Sequence, residues 1–293
     1  MDESPETVRP GCLYVVATPI GNRADLGARA RAILAQVDVV AAEDTRHTGR
    51  LLSALGIEAR LLSLHEHNER VRLPGLIERL RAGESVALVS DAGTPGLSDP
   101  GYPLVAAAHD AGVRVVPVPG PSAVLAALVA SGLATDRFVF EGFLPAKPKG
   151  RRDRLRALAS EPRTLVLYES AHRIGDSLRD LASAFGPERP ATLARELTKA
   201  WETIRRATLG DLAAWVAEDA DQRRGEIVLV VAGAPPGETD DRRLAEILEP
   251  LLAELTPARA AAVAARLAGV PRRRAYDVAL TRTRAGPAPR DEP

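Results

Sequence analysis

Short apolar runs in the first half of the chain alternate with segments of helical period. The runs at 12–17, 37–42, 86–90 and 113–118 are rich in valine, alanine and leucine, which is typical of buried strands. Between them, apolar residues recur at spacings of three and four, which predicts helices. Strands that alternate with helices predict an α/β fold with a parallel sheet. The predicted helices cover residues 25–36, 45–55, 68–81, 102–111 and 121–129.

Capping residues and one apolar stripe define these helices further. Asp25 is predicted as the N-cap of the first helix, because its carboxylate can accept a bond from a free amide. Gly56 is predicted to end the second helix, and Pro121 to be the first residue of the last one. In the helix at 68–81 the stripe that faces the core is predicted to contain Val71, Leu76, Ile77 and Leu80.

The pattern changes after Phe138, where a strand leads into a linker-like segment rich in proline, glycine and lysine. Further strands are predicted at 164–170, 191–198 and 225–233, and helices at 151–160, 171–185 and 210–218. These elements predict a second α/β domain. We therefore expect a flexible N-terminus at 1–10, a first α/β domain at 11–136 and a second at 137–234.

The last part of the chain has helical period only. A polar linker is predicted at 235–240, followed by helices at 242–255, 257–268 and 271–280, with Thr256 capping the middle helix and Gly269 ending it. Small residues around a glycine turn resemble the spacing of a helix–turn–helix. A helical tail that docks on the rest and carries surface arginines fits the same pattern. We expect a small helical domain at 241–284.

Composition excludes several classes of protein. A single cysteine, Cys12, excludes an internal disulfide and a cysteine-based metal site. The polar, acidic start is unlike a signal peptide. The longest uncharged stretch, 115–135, contains three prolines and is therefore not a predicted membrane span. We expect a cytoplasmic protein that makes no contact with a membrane.

The net charge is zero, but its distribution is uneven. Residues 147–156 hold six basic residues and one aspartate, and residues 257–284 hold seven arginines and one aspartate. Two basic segments on an otherwise acidic protein favour a polyanionic partner such as nucleic acid. The alternative is that an arginine-rich composition scatters arginines over the whole surface.

The predicted strand at 86–90 leads into the most informative loop, DAGTPGLSDPG at 91–101. Its glycines permit positive φ, its prolines stiffen it, and Asp91 and Asp99 place two carboxylates near the carboxyl end of a strand. Open α/β sheets bind their ligands at that edge. We therefore expect a binding loop rather than an inert turn.

Two common nucleotide-binding fingerprints are absent from the sequence. The first strand ends in TPIGN (18–22) rather than in G-x-G-x-x-G, which argues against NAD or FAD. No G-x-x-x-x-G-K-[ST] occurs, which argues against a P-loop NTPase.

Polar clusters follow other predicted strands. EDTRH (43–47) fits an acid–base group, or a helix cap formed by Asp44 or Thr45. HEH (65–67) would place two imidazoles on one strand face, but without a third ligand we expect no metal site. YESAHR (168–173) and RELTK (195–199) place charges at strand ends, where they are predicted to line a cleft.

Several motifs occur together in the order seen in one family: TPIGN, AAEDTRHTGRLL, VSDAGTPGLSDPG, PGPSA, YESAHR, RELTK and RGEIVLVV. From residue 11 to 233 the chain resembles the small-subunit rRNA (cytidine-2′-O)-methyltransferase branch of the tetrapyrrole methylase superfamily. Tetrapyrrole methylases proper usually carry a G-x-G-x-G loop after the first strand, from which TPIGN departs. The resemblance implies two α/β domains of tetrapyrrole methylase type with a cofactor cleft between them, a C-terminal helical domain and a homodimer.

The resemblance also implies S-adenosyl-L-methionine as methyl donor and 2′-O-methylation of a cytidine in the decoding region of 16S rRNA, in the small ribosomal subunit. The residues that it implies for cofactor binding are Pro19, Asp91, Ala92, Gly93, Leu97, Ser98, Asp99, Ser122, Tyr168, Gly225 and Glu226. Within this set we expect Asp91 to hold the cofactor and Asp99 to lie nearer the mouth of the site, where the substrate ribose could enter.

A ribose 2′-hydroxyl is a weak acid, so a base or a nearby cation should assist its methylation. The candidates are Asp44, Glu196 and Lys199, with Arg46 and Arg195 orienting phosphate or ribose. Lysine is attractive because its pKa shifts readily on burial. The sequence does not choose among them.

The two basic segments are then predicted to contact rRNA phosphates. The residues expected to do so are Lys147, Lys149, Arg151, Arg152, Arg272, Arg273 and Arg274. Two other functions remain open at this stage: methylation of a small tetrapyrrole or corrin substrate, and a non-catalytic role in ribosome assembly as an RNA-binding protein.

Overall fold

A computed structural model describes residues 7–235 and 238–285, so most of the predicted flexible N-terminus (1–10) lies outside the described residues. The first half forms five strands and five helices, of which four strands and all five helices were predicted. These elements are β1 (Cys12–Val16), α1 (Ala28–Leu34), β2 (Val39–Ala42), α2 (Thr45–Ala54), β3 (Leu61–Ser63), α3 (Glu69–Arg81), β4 (Val86–Val89), α4 (Tyr102–Asp110), β5 (Arg114–Val118) and α5 (Ala123–Ala130).

The strands of the first half form one parallel sheet in the order β3-β2-β4-β1-β5. Every residue of β2 and β4 is buried, because helices cover both faces of the sheet. Separate apolar clusters pack on the two faces, one containing Val16 and Val40 and the other containing Leu13 and Leu88. The apolar runs form a parallel sheet, as predicted; β1, β2 and β4 are its central strands, whereas β5 lies at its edge and is partly exposed.

Three local predictions in the first half are wrong. Asp25 does not cap α1: it lies in a short 3-10 turn whose cap is Asn22, and α1 starts three residues later. Pro121 precedes α5 rather than starting it, and Ser122 is the N-cap. Val71 is exposed on α3, whereas Leu76 and Leu80 of the same predicted stripe are buried. Gly56 does follow the end of α2 with a positive φ of 69°, as predicted.

The structure also contains a short edge strand, β3, that the apolar pattern did not reveal. The HEH segment follows β3 rather than forming a strand, so the predicted alternation of two imidazoles on a strand face is wrong. Instead, the Asn68 side chain accepts a bond from the His65 amide and lies 3.1 Å from its ring nitrogen, where α3 begins. Within the described ranges, no group of three or more His, Cys, Asp or Glu side chains is arranged to hold a metal ion.

The second half forms a mixed sheet of five strands in the order β6-β7-β10-β8-β9, in which only β6 and β7 are parallel. Its elements are β6 (Phe138–Phe143), α6 (Pro148–Leu158), β7 (Thr164–Ser170), α7 (Ile174–Phe185), β8 (Pro190–Arg195), β9 (Thr203–Thr208), α8 (Leu209–Glu218) and β10 (Glu226–Val231).

Two features of this half differ from the prediction. The lysine-rich segment predicted as a linker includes the first turn of α6, since Pro148 supplies the fixed φ of a first helical residue. β9 was missed because its sequence, TIRRAT, is polar and lies at the edge of the sheet, where one side needs no apolar cover.

Helix α5 connects the two halves. Its residues Val124, Ala127 and Leu128 pack against Val166 and Val230 of the second sheet. Ile20, in the loop after β1, belongs to the same apolar cluster. The loops at the carboxyl ends of the first sheet are thereby held against the second sheet, and a cavity forms between them.

The C-terminal region contains three helices, α9 (Glu238–Glu254), α10 (Pro257–Ala268) and α11 (Arg272–Ala285). They pack on their own apolar cluster, in which alanines such as Ala261 and Ala275 allow close approach. Gly269 ends α10 in the left-handed conformation with φ of 71°, as predicted. α9 starts within the segment predicted to be a linker. In the described part of the chain, no helix is both long enough and apolar enough to cross a membrane.

Candidate active site

A cavity of about 720 Å³ opens between the two sheets. Its walls come from the loops after β1, β2 and β4 on one side and from β7, β8 and β10 on the other. This volume lies within the range of small-molecule sites. The carboxyl edge of the parallel sheet, where the predicted binding loop begins, forms one wall.

Backbone bonds hold the predicted binding loop against the loop after β1. Thr18 and Gly93 exchange two backbone hydrogen bonds, of 2.8 and 3.1 Å. Gly93 has φ of 84°, and a Cβ there would lie 3.3 Å from the Ile20 side chain. Positive φ and close packing together require glycine at this position. The two loops therefore form one rigid wall of the cavity.

Three carboxylates line this wall: Glu43 after β2, and Asp91 and Asp99 after β4. Burial raises the pKa of Asp99 to about 6; repulsion from Glu43 and Asp91 also raises it, and a hydrogen bond from Ser90 opposes both. Burial and the charge of Asp91 likewise raise the pKa of Glu43. Asp99 thus lies in one electrostatic cluster with Asp91 and Glu43.

The rest of the cavity is largely apolar, with a few polar groups. Ile20, Leu97 and Val228 line it, and the Tyr168 ring packs between Phe140 and Phe143 at centroid distances of 5.1 and 5.5 Å. Burial raises the pKa of Tyr168 to about 12, so its hydroxyl stays protonated.

Ser122 also lines the cavity, and its hydroxyl is buried without a hydrogen-bond partner among the described residues. A buried hydroxyl without a partner costs free energy, so this group is available to a ligand.

Ten of the eleven residues predicted to bind cofactor line this one cavity. Pro19 does not, whereas its neighbour Ile20 does. The ten are Asp91, Ala92, Gly93, Leu97, Ser98, Asp99, Ser122, Tyr168, Gly225 and Glu226.

The four predicted catalytic residues do not line the cavity. Lys199 bonds Glu196 at 2.8 Å and Glu226 at 2.9 Å. Burial opposes the charge of Lys199, but these two carboxylates outweigh burial and raise its pKa. A lysine whose pKa is raised stays protonated at neutral pH, so it cannot act as a base. The readiness of a buried lysine to shift its pKa, which made Lys199 attractive as a base, is here outweighed by its two carboxylate partners.

The RELTK segment has a structural role in this geometry. Glu196 and Thr198 adopt positive φ, and the Asn22 amide donates to the Thr198 hydroxyl at 3.2 Å. A Cβ on Gly21 would lie 2.4 Å from the Lys199 side chain, so only glycine fits there. The segment thus packs directly on TPIGN and connects the two halves beside the cavity.

Asp44 is the N-cap of α2, as the structural alternative for EDTRH predicted. Its carboxylate accepts from the Arg46 amide at 2.8 Å and pairs with the Arg46 guanidinium at 2.8 Å. Hydrogen bonds from Arg46 hold the pKa of Asp44 well below its usual range. An acid this strong is a poor proton acceptor.

The predicted RNA-binding residues divide into two groups. Arg151 is buried and pairs with Asp180 at 2.7 Å, and Arg274 pairs with Asp241 at 2.9 Å, so their charges are engaged within the protein. For Arg151 this contradicts the prediction, because the helix turns its side chain toward α7. The other five side chains are exposed: Lys147, Lys149, Arg152, Arg272 and Arg273.

Glu169 and His172 of YESAHR line the cavity, in agreement with the prediction that this segment faces a cleft, whereas the charged residues of RELTK do not line it. The sequence analysis missed three cavity residues with useful chemistry: Phe143, Arg223 and Arg224. Arg224 belongs to the motif RGEIVLVV, but no local pattern showed that its side chain faces the cavity.

The class of fold is clear from comparison with known proteins. A family model described as "Tetrapyrrole (Corrin/Porphyrin) Methylases" matches residues 12–213. The structure resembles that of a uroporphyrin-III-C-methyltransferase from Thermus thermophilus, with a TM-score of 0.54 and 25% identity over 76% of this chain and 95% of that one. It also resembles a form of that enzyme complexed with S-adenyl homocysteine (TM-score 0.52, 23% identity, 75% of this chain and 97% of that one).

Sequence comparison then specifies the branch. A ribosomal RNA small subunit methyltransferase I from Escherichia coli O157:H7 is 54% identical over 92% of this chain and 95% of its own. The protein of the same name from Synechocystis sp. is 48% identical over 92% of this chain and 98% of its own. A model described as "RsmI C-terminal HTH domain" matches residues 238–283. This chain belongs to the ribosomal RNA small subunit methyltransferase I family, within the tetrapyrrole methylases.

Proposed function

We propose that this protein transfers the methyl group of S-adenosyl-L-methionine to the 2′-hydroxyl of a cytidine in the decoding region of 16S rRNA. The observation that carries the proposal is that ten residues implied for the cofactor line one cavity, in a chain that matches rRNA methyltransferases along nearly its full length. The cytidine and its 2′-hydroxyl come from the motif resemblance.

The cavity suits this cofactor. S-adenosyl-L-methionine supplies an electrophilic methyl group on a cationic sulfonium. Asp91, Asp99 and Glu43 provide negative charge for a cationic ligand, and the Ser122 hydroxyl provides a free polar partner. The apolar residues Ile20, Leu97 and Val228 provide a surface for an aromatic base.

Asp99 is the proposed proton acceptor among the carboxylates that line the cavity. Its pKa of about 6 lies closer to neutral pH than that of an ordinary carboxylate, which improves proton transfer from a weakly acidic hydroxyl. Glu196, Lys199, Asp44 and Arg46 then have positioning roles, since they act through the RELTK segment and the start of α2. Catalysis is otherwise positioning of the hydroxyl in line with the methyl group.

The exposed basic residues of α6 and α11 are proposed to bind rRNA phosphates. Lys147, Lys149 and Arg152 surround the first turns of α6, and Arg272 and Arg273 start α11. Removal of residues 236–293 should weaken RNA binding and leave cofactor binding intact. Equal RNA affinity after this truncation would contradict a role for the tail.

We also propose a cytoplasmic homodimer. Leu125 and Val129 lie one turn apart on α5 and are exposed, while the opposite face of α5 packs on the second sheet. Exposed apolar pairs of this kind suit a contact with a second copy. Sedimentation should give a dimer for the wild type and a monomer for Val129→Glu; a monomeric wild type would contradict the proposal.

One assay tests the reaction. Purified protein is incubated with labelled S-adenosyl-L-methionine and, in parallel, with assembled small subunits, naked 16S rRNA or a tetrapyrrole. Label at a cytidine 2′-oxygen of subunits or rRNA is expected. Label on the tetrapyrrole alone would favour the small-substrate alternative, and RNA binding without label would favour the assembly alternative.

A further inference from the structure

The two sides of the cavity carry opposite charge. Among the described lining residues, the first half contributes three carboxylates and no cation. The second half contributes His172, Arg223 and Arg224, and its two carboxylates are neutralised within the protein: Glu169 by Arg173 and Glu226 by Lys199. A cationic ligand is attracted to the first side and an anionic one to the second.

Phe143 is the exposed aromatic residue of the second side. The chain has only four phenylalanines, and Phe143 leaves 55% of its surface accessible at the cavity while its ring packs against Tyr168 with an interplanar angle of 58°. An exposed aromatic ring supported by a second ring is a surface on which a nucleobase can stack.

A β-bulge directs Phe143 to this place. Residues three apart on a regular strand point to opposite faces, yet Phe140 and Phe143 both contact Tyr168. The register of β6 against β7 shifts between Phe140 and Gly142, which leaves Glu141 as the extra residue.

Gly142 completes the arrangement. It has φ of 64°, and a Cβ there would lie 2.9 Å from the Ser98 hydroxyl oxygen, so the strand passes close to the binding loop. Glu141, in turn, bonds Arg154 of α6 at 2.5 Å. The bulge therefore places Phe143 beside the binding loop and fixes the basic helix that follows.

We propose that Phe143, Arg223 and Arg224 form the nucleotide-binding subsite of this cavity, in which the base of the target cytidine stacks on Phe143 and the arginines bind the phosphates beside it. The subsite rests on the RNA substrate proposed above. Arg224 pairs with Asp221 at 3.0 Å, but both side chains are exposed, and such a pair exchanges readily for a phosphate.

The first test separates stacking on RNA from contact with cofactor. In Phe143→Ala, KM for small subunits should rise roughly tenfold, as expected for the loss of one stacked base. The Kd for S-adenosyl-L-methionine, measured by calorimetry without RNA, should change less than twofold. Phe143→Tyr should have the KM of the wild type, because it keeps an aromatic ring at this position. Tyr102→Ala, which removes another exposed aromatic ring, on α4 and outside the cavity, is the control.

The second test counts phosphate contacts. Arg223→Gln and Arg224→Gln should each lower the slope of log affinity for rRNA against log salt by about 0.7, the value for one contact to a single strand. Arg72→Gln, on the exposed face of α3, should leave the slope unchanged.

The outcomes distinguish this inference from the proposed function. A wild-type protein that methylates neither subunits nor rRNA contradicts the proposed function. If the wild type is active but Phe143→Ala has the wild-type KM for small subunits, the nucleotide subsite alone is contradicted. The same conclusion follows if the Kd for S-adenosyl-L-methionine rises in this variant as much as KM does. Unchanged salt slopes in both arginine variants contradict the phosphate contacts.

Discussion

The carboxylates on the two sides of the cavity differ in what surrounds them. On the first side, Glu43, Asp91 and Asp99 have no ion-pair partner in the described part of the chain, and the pKa values of Glu43 and Asp99 are raised by burial and mutual repulsion. On the second side, Lys199 pairs with Glu196 and Glu226. Although burial opposes the charge of Glu196, the bonds from Lys199 and the Glu226 amide lower its pKa.

This difference separates a binding role from a structural one. Clustered carboxylates without a cation cost stability, and proteins tolerate such a cost where a ligand or a reaction uses the charge. Carboxylates paired inside the protein hold loops in place. We therefore assign the chemistry to the first side and the positioning of RELTK against TPIGN to the second.

The largest expected effect is that of Asp99→Asn on activity. The amide keeps the size of the side chain but cannot accept the proton, so kcat for methylation of small subunits should fall about a hundredfold. Single-turnover kinetics with saturating cofactor measure the step directly. Asp110→Asn, an exposed aspartate at the end of α4, is the control. A loss below threefold in Asp99→Asn would remove Asp99 from the reaction.

Lys199→Ala tests the structural role of the second side. It leaves Glu196 and Glu226 without their cation, and Glu196 is largely buried. The free energy of unfolding should fall by about 2 kcal/mol, less than for a fully buried pair because Lys199 is partly exposed. Urea denaturation measures this change. Unchanged stability together with a specific loss of kcat would instead return Lys199 to the chemistry.

Cofactor affinity should depend on pH through the first side. Asp99 is protonated below its pKa of about 6 and then no longer attracts a cation. If the ionised form binds, the Kd for S-adenosyl-L-methionine should rise about tenfold between pH 7.5 and pH 5. Calorimetry at each pH measures it. The same rise in Asp99→Asn would assign the pH dependence to another group.

The smallest expected effect is a gain of stability in Asp99→Asn. Because the pKa of Asp99 is raised on folding, its contribution to stability is fully present below the ordinary value of 3.8 and is lost as pH rises through about 6. At pH 7.5 the variant should therefore be more stable than the wild type by about 1 kcal/mol, after allowance for solvent screening. This gain of stability should vanish at pH 4, where Asp99 of the wild type is protonated. If Asp99→Asn is less stable than the wild type at pH 7.5, the charge of Asp99 is not destabilising in the folded protein.

Much of the fold was predictable because it depends on local pattern. The parallel strands β1, β2, β4 and β5 are continuous apolar runs, and Gly56 and Gly269 end helices where expected. The errors fall where tertiary contacts override local pattern: β9 is polar because it is an edge strand, and Val71 is exposed although it matches the helical period.

The candidate site was predictable only where it, too, depends on local sequence pattern. The loop at 91–99 can be recognised as a binding loop from its own sequence, because its glycines allow a local backbone conformation that other residues rarely adopt. Phe143, Arg223 and Arg224 gave no such signal. Phe143 reaches the cavity only through the bulge at Glu141, and a bulge depends on pairing with β7 rather than on the sequence of β6 alone.

The sequence by itself determined the order of the elements apart from the edge strands β3 and β9, the binding loop after β4 and the motifs that mark the family. The tertiary structure decided which charged groups are free and which are engaged. Lys199 pairs with Glu226, which lies 27 residues away in the chain, and this pairing contributes to the raised pKa of Lys199. Arg151 pairs with Asp180, 29 residues away, and this pairing accompanies the burial of the arginine. Ion pairing and burial depend on distances between segments remote in the chain, and no local pattern of residues contains those distances.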